Sequence, residues 1–169
     1  MRDHYASGDV HTPGFMPDDE RFFSVCMHSG AVGVTAASMA VELAAPSSAP
    51  RVAWITFCNP CVAPYLPIFL EAPLPADYER GDRSAKSGGA WWRFKKLLTA
   101  VETDFARQAR RVRDAWVGYE RELEGETAKT VRETTEKSAS ERRGTLERFT
   151  AEVWTETSRR LDALVHEIA

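Results

Sequence analysis

The sequence predicts an α+β fold. Up to residue 72 the chain carries short, β-branched and aromatic runs separated by turn-forming residues. All nine prolines fall in the first 75 residues, and none follows. From residue 91 onward charged residues dominate and apolar residues recur every three or four positions, the period of an α-helix. These observations divide the chain into an antiparallel β portion (1–72), a loop or linker (73–90) and a pair of long helices (91–169).

Four strands are expected in order. Residues 21–28, RFFSVCMH, form the first. Residues 31–43, AVGVTAASMAVEL, form the second, with glycine and alanine marking close backbone approach or a bulge. Residues 51–58, RVAWITFC, are rich in the residue types that suit a pleated surface. Residues 65–71, YLPIFLE, give a short fourth strand, confined to a sheet edge because Pro67 cannot donate to a ladder. The short links HSGA and AAPSSAP suit a meander of the first three.

The helical part shows two stripes. Phe94, Leu97, Val101, Phe105, Val112, Trp116, Tyr119 and Leu123 share one face. Val131, Ala139, Leu146, Phe149, Val153, Leu161, Leu164 and Ile168 make a second, thinned where Arg142, Arg143 and Gly144 interrupt it. Gly125 lies between the stripes and is the expected hinge of a helical hairpin. The adjacent Trp91 and Trp92 read as an anchor of the first helix on the sheet. The interrupted stretch around Arg142 is expected to make the second helix the more mobile one.

Composition narrows the function classes. The chain has 169 residues, 43% apolar and 28% charged, with a net charge of −3. That profile suits a globular protein and gives no field that favours nucleic acid or an anionic membrane. No apolar run reaches the roughly 18–20 residues that span a bilayer. The opening MRDHYASGDVHTPG lacks the apolar core of a signal peptide. Three cysteines do not make a secreted disulfide framework, so the expected compartment is a reducing cytoplasm. No cofactor is expected.

Two clusters could carry chemistry. Cys26 and His28, two apart on a strand, would point to one face. Cys58 and Cys61 have the two-residue gap of a zinc knuckle. Together Cys26, His28, Cys58 and Cys61 would make a Cys3His tetrahedral site. Against it, zinc sites usually pair two compact ligand motifs, and buried strand cysteines are common, so no metal is expected. A redox role for CNPC needs its first cysteine at a helix start, and VAPYLP does not start one. Cys26 with His28 is also the alternative catalytic pair, although such partners normally meet from distant parts of a chain. His4 and His11 lie in the polar opening, and His166 lies near the last helical turn.

The order of motifs resembles one family. MRDHYASGDVHTPG resembles the RDHYEGT stretch of the dipeptidase and secernin family of N-terminal-nucleophile hydrolases. SVCMHSGAVGVTAASMAVEL is similar to the strand pair that follows there, WITFCNPCVAPYLPIF to the next strand and turn, and GGAWWRFKKLLTAV to the following helix start. The resemblance covers nearly the whole chain in order. It implies a share of a four-layer αββα sandwich and hydrolysis of an amide bond in a small peptide through an acyl-enzyme. It also implies a cysteine nucleophile at the mature N-terminus, with its own α-amine as base. That cysteine is expected upstream of Met1, so no residue of this chain is expected to be catalytic. The expected partners are a peptide substrate in the intact enzyme, and either the missing N-terminal half or a second copy. ASGD replaces the family's Gly-Thr pair after RDHY, and FCNPC carries cysteines where Gly or Ser is more usual. The rival readings are a non-catalytic secernin-like protein presenting a helical hairpin, and a small zinc-binding module.

Overall fold

The computed structural model describes residues 26, 28–29, 33–42, 48–81, 83, 85 and 88–168. Within them the chain runs β1 (His28–Ser29), β2 (Gly33–Val34), β3 (Ala37–Val41), β4 (Val52–Phe57), β5 (Leu66–Phe69), α1 (Ala76–Glu79), α2 (Ala90–Glu102), α3 (Phe105–Thr134) and α4 (Ala139–Ile168). The class is α+β: antiparallel strands first, then helices.

β3, β4 and β5 form a three-stranded antiparallel sheet in that order. β4, the aromatic and β-branched run, takes the centre, where both of its sides are paired. β5 sits at the edge, with Trp54 opposite Pro67, as its proline requires. All four of its residues are nevertheless buried, because α3 and α4 pack against it.

The long second strand of the sequence reading is instead two pieces. β2 pairs only with β1, His28 opposite Val34, while β3 pairs with β4. At the break between them the Ala36 carbonyl accepts two hydrogen bonds, from the Cys58 amide at 2.8 Å and the Trp91 indole at 2.9 Å. The expected strand 21–28 lies outside the described residues except for Cys26, which is in a turn, and His28. The expected linker contains α1.

The helical part corrects the hinge. Gly125 lies within α3, with open space around its missing side chain, and the chain runs straight through it. A single exposed glycine costs about 1 kcal/mol in a helix, too little to end one whose flanks are packed. The breaks fall at Thr103–Asp104 and at Thr135–Ser138. At the first, Asp104 leaves helical geometry (φ −152°) and its carboxylate accepts from the Arg107 guanidinium at 2.7 Å. At the second, Ser138 and Glu141 form a reciprocal capping box. The Ser138 amide donates to the Glu141 carboxylate at 3.2 Å, and the Glu141 amide donates to the Ser138 hydroxyl at 3.4 Å. Arg142 therefore belongs to the first turns of α4 and does not interrupt its middle. Its guanidinium donates to the Thr134, Thr135 and Lys137 carbonyls at 3.1, 2.7 and 3.4 Å, closing the C-terminal end of α3.

The first stripe is the core: all eight of its residues are buried. Trp116 donates its indole N–H to the Val62 carbonyl at 3.0 Å, and Tyr119 donates to the Val153 carbonyl at 3.1 Å. Phe57 stacks on Phe94 (5.8 Å between ring centres), which seats α2 on β4. Tyr78 meets both Phe57 and Trp154 edge to face, at 5.0 and 5.1 Å. Arg93 ties α2 to α4 through a two-pronged bond to Asp162, both at 2.9 Å, and one to Ser158 at 2.7 Å.

The far ends of α3 and α4 pack differently. Beyond Leu123 the buried residues of α3 are Thr127, Thr130 and Thr134, and those facing the turn on α4 are Leu146 and Thr150. None belongs to the contiguous apolar cluster. Thr134 and Thr150 keep their hydroxyls bonded to carbonyls four residues back, at 2.6 and 2.9 Å, so threonine serves as a small buried residue here.

Gly89, just before α2, is where only glycine fits. A Cβ there would lie 1.9 Å from the Arg80 carbonyl oxygen. Gly89→Ala is expected to destabilise the protein by about 1–3 kcal/mol, measured by urea unfolding, because the backbone that clashes cannot rotate away. Among the described residues no helix is long and apolar enough to cross a membrane.

Candidate functional site

The CNPC turn follows β4. Cys58 adopts φ 60°, the left-handed region that costs a side-chain-bearing residue about 1–2 kcal/mol. Two bonds hold it there: its amide to Ala36, and its thiol, which donates to the Trp91 carbonyl at 3.6 Å. The turn then winds on itself, with the Val62 and Ala63 amides donating to the Asn59 carbonyl at 3.0 and 3.2 Å. The tryptophan anchor expected from sequence thus works through both side chain and backbone: the Trp91 indole grips Ala36, and its carbonyl receives the thiol.

Cys26, Cys58 and Cys61 are all buried in the same apolar cluster, and none is in a disulfide. Burial pushes the Cys58 thiol up to about 12, outweighing the opposing influence of Lys95. A thiol so placed stays protonated at neutral pH, as its donated hydrogen bond also requires. It has neither the electropositive setting nor the exposure of a nucleophile. The side chain of His28 lies outside the described residues, so its position relative to Cys26 does too. Among the described residues no group of three or more His, Cys, Asp or Glu is placed to hold a metal ion. His4 and His11 lie outside the described residues. His166 sits exposed in the last turn of α4.

Other buried polar groups serve packing. Tyr119 is pushed up mainly by burial, partly offset by its bond to Thr157 at 2.8 Å, and the Arg160 guanidinium lies 4.3 Å over its ring. Glu120 receives the Tyr65 amide at 2.9 Å and pairs with Arg113, joining α3 to the start of β5.

The sequence reading missed a concavity. A cleft of about 550 Å³ opens between α2 and the last turn of α4, lined by Trp92, Lys96, Ala100 and Thr103 on one side and Val165 and Ile168 on the other. Its signal was present: these α2 residues recur at helical spacing on a different face from Phe94, Leu97 and Val101. None of the cysteines lines it.

No protein-family model, curated protein or solved structure matches this chain.

Proposed function

We propose that this chain is the C-terminal, scaffold portion of a dipeptidase-like cysteine amide hydrolase acting on small peptides, and that it supplies no nucleophile of its own. The observation that carries the second part is the state of its cysteines: all three are buried, and the Cys58 thiol is held protonated with its hydrogen engaged. The first part rests on the ordered resemblance from RDHY to GGAWW. An antiparallel sheet with helices packed on it suits a share of an αββα sandwich. On β3, Met39 is 61% exposed and Val41 is exposed beside it, offering apolar surface for the rest of such a sandwich, or for a second copy, to cover. Thiols in no disulfide suit a reducing cytoplasm.

The genomic reading frame before the Met1 codon tests this. The expected result is an in-frame segment with a cysteine that becomes a mature N-terminus. Joined to residues 1–169, it should hydrolyse Xaa–Xaa dipeptides and lose that activity when its cysteine is changed to alanine. A frame without such a cysteine, or a joined chain inert toward dipeptides, ends the reading.

One observation favours the second reading, a non-catalytic secernin-like interaction protein. α3 and α4 are 30 residues each, and their ends near the turn pack on threonines outside the main core. A hairpin held that way presents two charged outer faces for a partner.

A further inference from the structure

The cleft between α2 and α4 has the properties of a small-molecule site, and its ligand is argued from its own lining, without the hydrolase reading. Its volume, about 550 Å³, lies within the range of ligand pockets. Its α2 wall runs from Trp92 to Thr103, about 16 Å along the helix. The opposite wall is Val165 and Ile168, both buried against the core. The shape is therefore a trough with a largely apolar lining, suited to a linear apolar chain lying along α2.

Two ammonium groups line that wall, Lys95 and Lys96. Lys96 is exposed and makes no ion pair among the described residues, whereas its neighbour Lys95 is drawn to Glu102 at 3.8 Å. The carboxylate on the last turn of α4, Glu167, is engaged by Arg111 at 3.0 Å. An ammonium with no carboxylate partner among the described residues, beside an apolar trough, complements a molecule with one anionic end and an aliphatic tail. We propose that this cleft binds a free medium-chain carboxylate, with its chain along Trp92, Ala100 and Ile168 and its carboxylate on Lys96. A neutral chain would forgo the ammonium.

Calorimetric titration of the full chain with decanoate tests this, with octanoate, decanol and phosphatidylglycerol vesicles as comparisons. Decanoate is expected to bind one per chain. Octanoate should bind about 15-fold more weakly, since each methylene buried is worth about fourfold. Lys96→Gln should weaken decanoate about fivefold and leave decanol unchanged. Ala100→Trp, which fills the trough, should abolish decanoate binding while its own melting curve matches that of the parent protein. Trp92→Phe should remove the fluorescence change that accompanies decanoate binding. The proposal is overturned by any of these results: no saturable decanoate binding, decanol binding as tightly as decanoate, an unchanged affinity in Lys96→Gln, or association with vesicles alone.

Discussion

Trp116→Ala is expected to destabilise the protein by about 3–5 kcal/mol. Trp116 is 0% exposed and is among the largest fully buried side chains. Its loss would leave a cavity among Val62, Val112 and Tyr119 that rigid neighbours cannot close. It would also leave the Val62 carbonyl without the indole N–H that reaches it at 3.0 Å, a further cost because that carbonyl is buried. A domain's whole stability is about 5–15 kcal/mol, so the loss is a large share of the total and a parent at the low end of that range would be partly unfolded at ambient temperature. Equilibrium urea unfolding followed by far-ultraviolet circular dichroism measures this. Trp116→Phe, which keeps most of the volume, should recover more than half of the loss. A Trp116→Ala protein within 1 kcal/mol of the parent would mean that α3 does not pack as described.

The second large effect concerns Cys58. With its thiol pushed up to about 12, the thiolate fraction at pH 8 is about a thousandfold below that of a thiol at the ordinary 9.0. Alkylation by iodoacetamide in the native protein, followed by mass spectrometry of the Cys58 peptide, should therefore be slower by about that factor than in urea. The same shift sets a pH dependence. The group is neutral when protonated, and its folded value lies above the unfolded 9.0. Below pH 9 both states hold the proton, and the contribution to stability is fully present. From pH 9 to about 12 the unfolded chain releases a proton that the folded chain keeps, so stability falls by about 1.4 kcal/mol per pH unit. Cys58→Ala should remove the part of that fall between pH 9 and 10 and lessen it above, where the buried Tyr78 and Tyr119 also contribute. A parent protein equally stable at pH 8 and pH 11 would place the thiol in water.

Much of this was legible in the sequence. β4 was readable because valine, tryptophan, isoleucine, threonine and phenylalanine crowd into six residues. Pro67 correctly put β5 at an edge. The stripe from Phe94 to Leu123 was readable because its period survives the break at Asp104: Phe105 resumes the face that Val101 leaves. The hinge was misread because glycine was weighed above capping chemistry. Ser138 and Glu141, three apart, announce a helix start more specifically than an isolated Gly125 announces an end. The junction between α3 and α4 looked weak because threonine was not counted as a core residue, yet Thr130, Thr134 and Thr150 are buried. In a helix a threonine hydroxyl can bond the preceding turn and present its methyl to a neighbour, which a count of apolar residues overlooks. The cleft was missed for a different reason. Trp92, Lys96 and Ala100 make a wall only once the last turn of α4 stands opposite, and that meeting depends on where α3 turns back.

The central claim is that the chain carries no nucleophile of its own, and dipeptide hydrolysis by the purified chain tests it most directly. A panel of Xaa–Xaa substrates, with amine release followed at neutral pH, is expected to show no turnover, and Cys26→Ser should change nothing. Measurable hydrolysis that disappears in Cys26→Ser would contradict the claim and make Cys26 the nucleophile.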